Sequence, residues 1–376
     1  MQESTQNFRI DKISIRNYKG IDSLDLEFPR PKFPNDPDIF VIGSRNGLGK
    51  TSVLECCALG LMQLGMVLSE EFDKDSLPDA LVGTESNQSF VRLGSTHAEI
   101  NLTLGNKGNL FSDNFPFKLL QEKQGQFNIS PSIREKVQSE TMDVSWLWDN
   151  DPDVKEKYRK SGFGLSFHRI LNRNTSNPCI EKFFHFFPDN RATPHGKVPF
   201  EMIQGKQEAY WNPTNVFKIV SIQTILGMAG LWRNQKTNQF DEIFKKLNEL
   251  TSEFANNLEI SRQFEKTDDL SMDLGVELSS SKKEKNGNVF SFDGLSSGQK
   301  EMITTLFLIW ENTRFAPKVV FIDEPEQHLN AEWHRLFVHK LWEIAPWNQY
   351  ILATHSKHIA SATDAEHQIM LVKSEE

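Results

Sequence analysis

Apolar residues in this chain follow two kinds of pattern. Near the amino end they alternate with polar ones. Residues 8–16 (FRIDKISIR) and 24–28 (LDLEF) each predict a strand with one buried face. Asn17-Tyr18-Lys19-Gly20 would turn the first into the second, giving an antiparallel hairpin, and the Pro-rich stretch 29–37 reads as a loop. His97–Leu104 alternates again. Elsewhere the runs are continuously apolar: Ile39–Ile42, Val319–Ile322 and Tyr350–Ala353. A parallel strand buried on both faces has that appearance.

Helical spacing takes over between these runs. Val53–Leu61 reads as a helix, and 61–88 looks helical at first and then loop-like. Phe217–Trp232 is apolar enough for a buried helix. Phe240, Ile243, Phe244, Leu247, Leu250 and Phe254 recur at steps of three and four, the mark of an amphipathic helix. Met302–Trp310 predicts another. There is no sustained heptad, hence no long coiled-coil arm, and no internal repeat. The middle is less legible. The pattern weakens from Gly105 to about Lys160, where 146–151 is aromatic and acidic and 153–160 suggests a charged, solvated helix. Residues 163–170 suggest a strand. The dense apolar run 182–187 precedes a loop at 188–194, and 270–278 with 289–292 reads as a hairpin around polar 279–288.

Length and charge narrow the field. A chain of 376 residues holds one large domain or two ordinary ones. A formal net charge of -9 argues against a protein that coats DNA as a whole, though a local basic patch stays open. No apolar run is long enough to span a bilayer, and the polar start Met1–Gln6 lacks a signal-peptide core, so a cytoplasmic protein with no membrane contact is expected. Cys56, Cys57 and Cys179 suggest buried thiols in a reducing compartment. Most of the 28 Phe and 8 Trp belong in a core.

Four stretches carry chemistry. Between the strand Ile39–Ile42 and the helix from Val53 lies Gly43-Ser44-Arg45-Asn46-Gly47-Leu48-Gly49-Lys50-Thr51-Ser52. Strand, glycine-rich loop and helix form the context of a phosphate-binding loop. Backbone N–H groups and the helix N-terminus would cradle phosphate, Lys50 would reach the β- and γ-phosphates, and the Thr51 hydroxyl would meet Mg²⁺. The usual first glycine is Ser44 here, with Gly43 one place early, so an ordinary glycine-rich turn would read similarly. Leu295-Ser296-Ser297-Gly298-Gln299-Lys300-Glu301 precedes a helix and is either an anion site or a simple cap. Val319–Ile322 ends in Asp323 and Glu324, the first suited to Mg²⁺ and the second to accepting a proton from water. Tyr350–Ala353 ends near His355, where open α/β sheets bind ligands and an imidazole can hydrogen-bond a γ-phosphate.

In this order the four stretches resemble the ATP-binding cassette (ABC) ATPases of the SMC/RecF branch. Asn46–Ser52 resembles the Walker A loop, Leu295–Glu301 the signature, Val319–Glu324 the Walker B strand, and His355 the switch histidine. The run Asp323-Glu324-Pro325-Glu326-x-His328-Leu329-Asn330 with Ala353-Thr354-His355-Ser356 is similar to the overcoming-lysogenization-defect ATPases and to the ATPases of Septu and retron phage-defence operons. The resemblance covers roughly residues 8–60 and 290–372. It implies an α/β P-loop NTPase fold with an N-terminal antiparallel hairpin. The head would comprise 1–60 and 290–376, and 61–289 would be an insertion, part of which completes it. The implied ATP site uses Asn46, Gly47, Gly49, Lys50, Thr51 and Ser52, with Ser296 and Gly298 from a second copy. Thr51 and Asp323 would hold Mg²⁺, with Glu324 and His355 as catalytic groups. Gln121, Gln124 and Gln126 are candidates for the family's Q-loop glutamine and Arg191 for a nucleotide-side contact; no motif chooses among them. The Toprim nuclease domain that follows some of these heads is expected to be absent.

The resemblance implies ATP hydrolysis, head-to-head homodimers around two ATPs, and ATP as a switch on assembly. Three functions are compatible: an ATPase subunit controlling a partner nuclease or toxin in a defence complex, a DNA-repair or DNA-handling ATPase of RecF type, and a transporter's nucleotide-binding subunit. The SMC/RecF-like motifs and the long interrupted middle disfavour the third. The middle favours a dedicated protein partner, and nucleic-acid contact stays open.

Overall fold

Strands with continuous apolar runs must be covered on both faces, and three such strands set the architecture. The structure, a computed structural model, describes residues 8–33, 36–44, 48–68, 92, 95, 97–106, 141–149, 184–189, 197–199, 201, 213–229, 237–262, 271–278 and 289–371. In chain order these form β1 (Phe8–Tyr18), β2 (Ile21–Glu27), β3 (Ile39–Ser44), α1 (Lys50–Leu68), β4 (His97–Asn106), β5 (Thr141–Asp149), β6 (Phe184–Phe187) and β7 (Val198–Pro199). Next come α2 (Pro213–Met228), α3 (Thr237–Phe254), β8 (Leu258–Ile260), β9 (Ser271–Met272), β10 (Gly275–Leu278) and β11 (Phe290–Ser291). The carboxyl-terminal part holds α4 (Ser297–Thr313), β12 (Val319–Asp323), α5 (Ala331–Ile344), β13 (Gln349–Thr354), α6 (Lys357–Ala360) and β14 (Gln368–Leu371).

The central sheet is five-stranded and parallel, ordered β14-β3-β13-β12-β6. Alternate residues of each strand face opposite cores. Phe40, Ile42, Val319, Phe321, Ile351 and Ala353 pack with α1 and with the inner face of a second sheet. Ile39, Val41, Val320, Ile322, Tyr350 and Leu352 pack instead with α2 to α5. The second sheet is antiparallel, ordered β2-β1-β4-β5, so the expected hairpin is half of a larger layer.

The structure refines the reading of the middle. Residues 141–149 form β5, which overlaps the aromatic and acidic stretch 146–151. Met142, Val144, Trp146 and Trp148 do alternate, but the acidic neighbours dilute the signal. The dense run at 182–187 supplies β6, which lies beside β12 in the central sheet. The stretch 270–278 is two short strands: β10 pairs β11 as the expected hairpin, while β9 pairs β7. Helix α2 ends at Met228 rather than Trp232. Cys56 and Cys57 are free and buried. The readings at 153–160, 163–170, Cys179, Gln121, Gln124, Gln126 and Arg191 lie outside the described residues, as do Asn46 and Gly47.

Two polar contacts lock the layers together. Arg9, fully buried on β1, donates to both oxygens of buried Asp38 (3.3 and 3.2 Å), to Asp11 (2.6 Å) and to the Pro29 carbonyl (3.3 Å). The Gln349 side chain accepts from Ile10 N–H and donates to Ile10 C=O, both at 2.8 Å, taking the place of a strand neighbour at the start of β13. Removing Asp38 leaves the guanidinium buried with Asp11 as its one counter-charge among the described residues. Asp38→Ala is therefore expected to destabilise the fold by about 3 kcal/mol, read as a shift of the urea midpoint. A loss below about 1 kcal/mol, the size of an exposed ion pair, would show that this contact is not a lock.

Candidate functional site at the carboxyl ends of the parallel strands

The parallel register brings the chemistry-bearing residues to one end. Asp323 pairs with Ala353, and Thr354 pairs with Gly43, so β12, β13 and β3 finish level with one another. Their carboxyl ends point at the start of α1, whose first residue is Lys50. Gly49 delivers the chain there with a φ of 87°, a left-handed conformation, and a Cβ on it would lie 3.0 Å from Cγ1 of Ile21. No acidic residue occupies the first turn of α1, so its positive end is not neutralised by its own side chains. Thr51 and Ser52 follow, half-buried. Lys50 is only 6% exposed. Burial holds its ammonium below the ordinary lysine value, while the charges of Asp323, Glu324 and Glu326 pull the other way.

Acids and imidazole close around that ammonium. Lys50 Nζ lies 2.8 Å from His355 Nε2. With the ammonium as donor, that nitrogen accepts. Glu324 Oε1 is 3.6 Å from the same nitrogen. Asp323 ends β12 and is 1% exposed. Glu324 follows with a φ of 47°, left-handed for a residue that has a Cβ, and its N–H donates to Ala353 C=O at 2.8 Å. Such strained backbone is common where a side chain is aimed for chemistry. Gln327 Nε2 donates to the second Glu324 oxygen at 2.9 Å.

Glu326 holds the end of β13. Its two oxygens accept from the Thr354 hydroxyl and the His355 N–H, both at 2.6 Å. Ser356 N–H in turn donates to Thr354 Oγ1 at 2.9 Å, and Ser356 Oγ sits 2.8 Å from His334 Nδ1. Glu326 stands within the quoted acidic run, but nothing in its sequence position assigns it this task. The β12–β13 register makes it a partner of a residue 29 positions on.

Ser296 and Gly298 lie elsewhere, at the start of α4. Ser296 is exposed, and its side chain accepts from Gln299 N–H (3.3 Å), while Gln299 Oε1 accepts from Ser296 N–H (2.9 Å). This reciprocal pair is a capping box. A Cβ at Gly298 would come 2.8 Å from the His328 carbonyl oxygen, so the glycine permits α4 to approach the acidic turn of its own chain. The structure thus gathers Lys50, Asp323, Glu324 and His355, with Thr51 and Ser52 alongside. It sets Ser296 and Gly298 apart on a solvent-facing helix start.

Residues 192–360 match the protein family described as "AAA ATPase domain", a span of rather less than half the chain that includes the α4 start, β12 and β13. The carboxyl-terminal part of the chain is thus similar to an ATPase domain. A curated relative, "Retron Vc95 probable ATPase" of Vibrio cholerae serotype O1 biovar El Tor, is 33% identical over 98 residues. That match covers 23% of this chain and 19% of the relative, so the chain spans about a fifth of that protein's length. Solved SMC heads superpose loosely. An SMC head bound to the C-winged helix domain of ScpA gives a TM-score of 0.45 at 15% identity, covering 94% of this chain and 92% of that one. A head with an extended coiled coil bound to the C-terminal domain of ScpA, from Pyrococcus furiosus, gives 0.42 at 12%, covering 95% and 92%. The Thermotoga maritima head gives 0.37 at 14%, again covering 95% and 92%.

The donor set at these strand ends suits Mg·ATP. The Thr51 hydroxyl and the Asp323 carboxylate are hard oxygen donors of the kind Mg²⁺ takes, in the small number it needs when phosphates and water complete the shell. The α1 N-terminus and the Lys50 ammonium are matched to a triphosphate. Gly49→Ala combines a disfavoured φ with contact against Ile21. It is expected to cost about 1–3 kcal/mol, visible as a lowered thermal midpoint of the free protein. An unchanged midpoint would mean that the loop reaches α1 by another path.

Proposed function

We propose that this chain binds Mg·ATP at the carboxyl ends of β3, β12 and β13 and hydrolyses it to ADP and phosphate. The observation that carries the reading is the convergence of Lys50, His355 and Glu324, three groups of different chemistry from one helix start and two strand ends, within hydrogen-bond or ion-pair reach. In this reading Lys50 and His355 take the terminal phosphate between them, and their present contact gives way to phosphate oxygens. Glu324, aimed by its backbone and by Gln327, accepts the proton of the water that attacks the γ-phosphorus as the bond to ADP breaks. Glu326 positions His355 without touching substrate. Thr51 and Asp323 would hold Mg²⁺, which supplies neutralisation of charge on the phosphoryl oxygens.

One chain supplies donors on one side of such a site. Ser296 and Gly298, on an exposed helix start, are suited to cover the ATP of a second copy in a head-to-head homodimer, adding an anion-binding N-terminus from the other side. ATP then joins two copies and its hydrolysis releases them. The relationship to a retron ATPase supports a role in an anti-phage defence complex, where the ATP cycle controls a partner nuclease or toxin. Affinity capture from the native host, with and without ATP, tests that part: an effector nuclease or toxin retained in a nucleotide-dependent way supports it. Turnover stimulated by DNA without any protein partner would favour a RecF-type role instead.

Two substitutions test the chemistry. Lys50→Ala should abolish most ATP affinity by calorimetry, because the triphosphate loses its buried cation; unchanged binding would sink the phosphate-loop assignment. Glu324→Gln should retain ATP while slowing phosphate release by roughly 10²–10⁴-fold, the range for loss of a general base. Near-normal turnover would remove Glu324 from that role.

A further inference from the structure

Two buried lysines converge on the residue that leads into the Ser296–Gly298 segment. Lys218, on α2, is 0% exposed, and its ammonium lies 2.7 Å from Asp293 Oδ2 and 3.6 Å from Asp273 Oδ1. Lys300, on α4 and 1% exposed, donates to the Asp293 carbonyl at 3.4 Å. Asp293 belongs to the single turn 292–294 directly ahead of Leu295 and Ser296. The neighbouring residues repeat the grip in apolar form. Phe217 stacks on Phe292 with ring centroids 4.9 Å apart and meets Phe307 of α4 edge-on at 5.3 Å. Phe292 N–H also donates to the Leu274 carbonyl at 2.7 Å. Helix α2 therefore touches both the entry to the segment and the body of the helix that presents it.

A buried cation is expensive unless it is paired, and pairing it with Asp293 fixes the carboxylate and its backbone in one place. An apolar contact alone would hold Phe292 but leave the following turn free to rotate. The ammonium adds direction, because its hydrogen bonds reward one orientation of the turn.

We infer that Lys218 is a positioning residue for ATP hydrolysis, acting through Asp293 to set the Ser296–Gly298 segment against the ATP held by a second copy of the chain. The inference rests on the composite-site reading above. It makes α2, outside the phosphate-loop side of the head, the element through which the middle of the chain adjusts turnover. In an isolated chain the Lys218–Asp293 pair leaves ATP binding alone, since the phosphate loop and Lys50 belong to other elements.

Complementation separates these ideas. Lys218→Met and the milder Asp293→Asn are each assayed alone and after mixing with Lys50→Ala chains, with Ser296→Arg mixed in parallel as the reference for the reading itself. The expected result is a drop in turnover of at least about tenfold, the change that 1.4 kcal/mol of lost positioning produces, with single-chain ATP affinity kept. Mixing should then restore part of the activity, because one site in the mixed dimer has an intact phosphate loop and an intact facing segment. If Ser296→Arg is rescued by mixing and neither Lys218→Met nor Asp293→Asn is, the inference is wrong and the composite site stands. If Ser296→Arg is not rescued either, although mixed dimers form, the composite site falls and the inference with it. Loss of ATP affinity together with the thermal midpoint in both variants would assign the pair to the fold alone and likewise overturn it.

Discussion

A lysine ammonium buried at the start of a helix, facing acids at the end of one strand and an imidazole at the end of the next, is the constraint on which this structure turns. Lys50 is desolvated, and its charge is sustained by Asp323, Glu324 and Glu326. That arrangement works only if three strands end at the same level, which requires the parallel order β3-β13-β12 and its register. The order in turn requires both sheet faces to be covered, by α1 and the antiparallel sheet on one side and by α2 to α5 on the other. The Arg9–Asp38 pair and the Gln349–Ile10 contact then keep the antiparallel layer from sliding over the strand that carries His355. The fold thus maintains a charge arrangement that water would otherwise dissipate.

What could be read from the sequence follows from how local each signal is. The buried strands at 319–323 and 350–354 announce themselves by continuous apolar runs, and α3 by its repeat of three and four. The loop before Lys50, the acids after Ile322 and the histidine after Thr354 are short motifs at strand ends, so they could be placed before any contact was known. Strand β6 was visible only as a dense run of Phe, because its neighbour β12 lies far along the chain. The role of Glu326 depends on the register of two strands, and the Gln349–Ile10 contact joins residues 339 positions apart. The Lys218–Asp293 pair is also non-local, spanning 75 positions. Periodicity finds elements and motifs find chemistry, but neither finds which buried charge meets which.

The two halves of the proposed ATP site differ in kind. The Lys50 side is built into the sheet, with strained backbone at Glu324 and a second layer of hydrogen bonds through Gln327, Glu326 and Ser356. The Ser296 side is a capped helix start on the surface, held from behind by α2. In the proposed reading the two halves come from different copies, so closing the site and assembling the complex become the same event.

The dependence of activity on chain concentration tests this most directly. Phosphate release per chain, measured on the purified protein at saturating Mg·ATP over a wide dilution series, should rise with concentration and reach a plateau as dimers fill. The midpoint should coincide with the dimer dissociation constant found by sedimentation in a non-hydrolysable ATP analogue. A rate per chain that stays constant while the protein dissociates would show that a single chain completes its own site, contradicting the two-sided account.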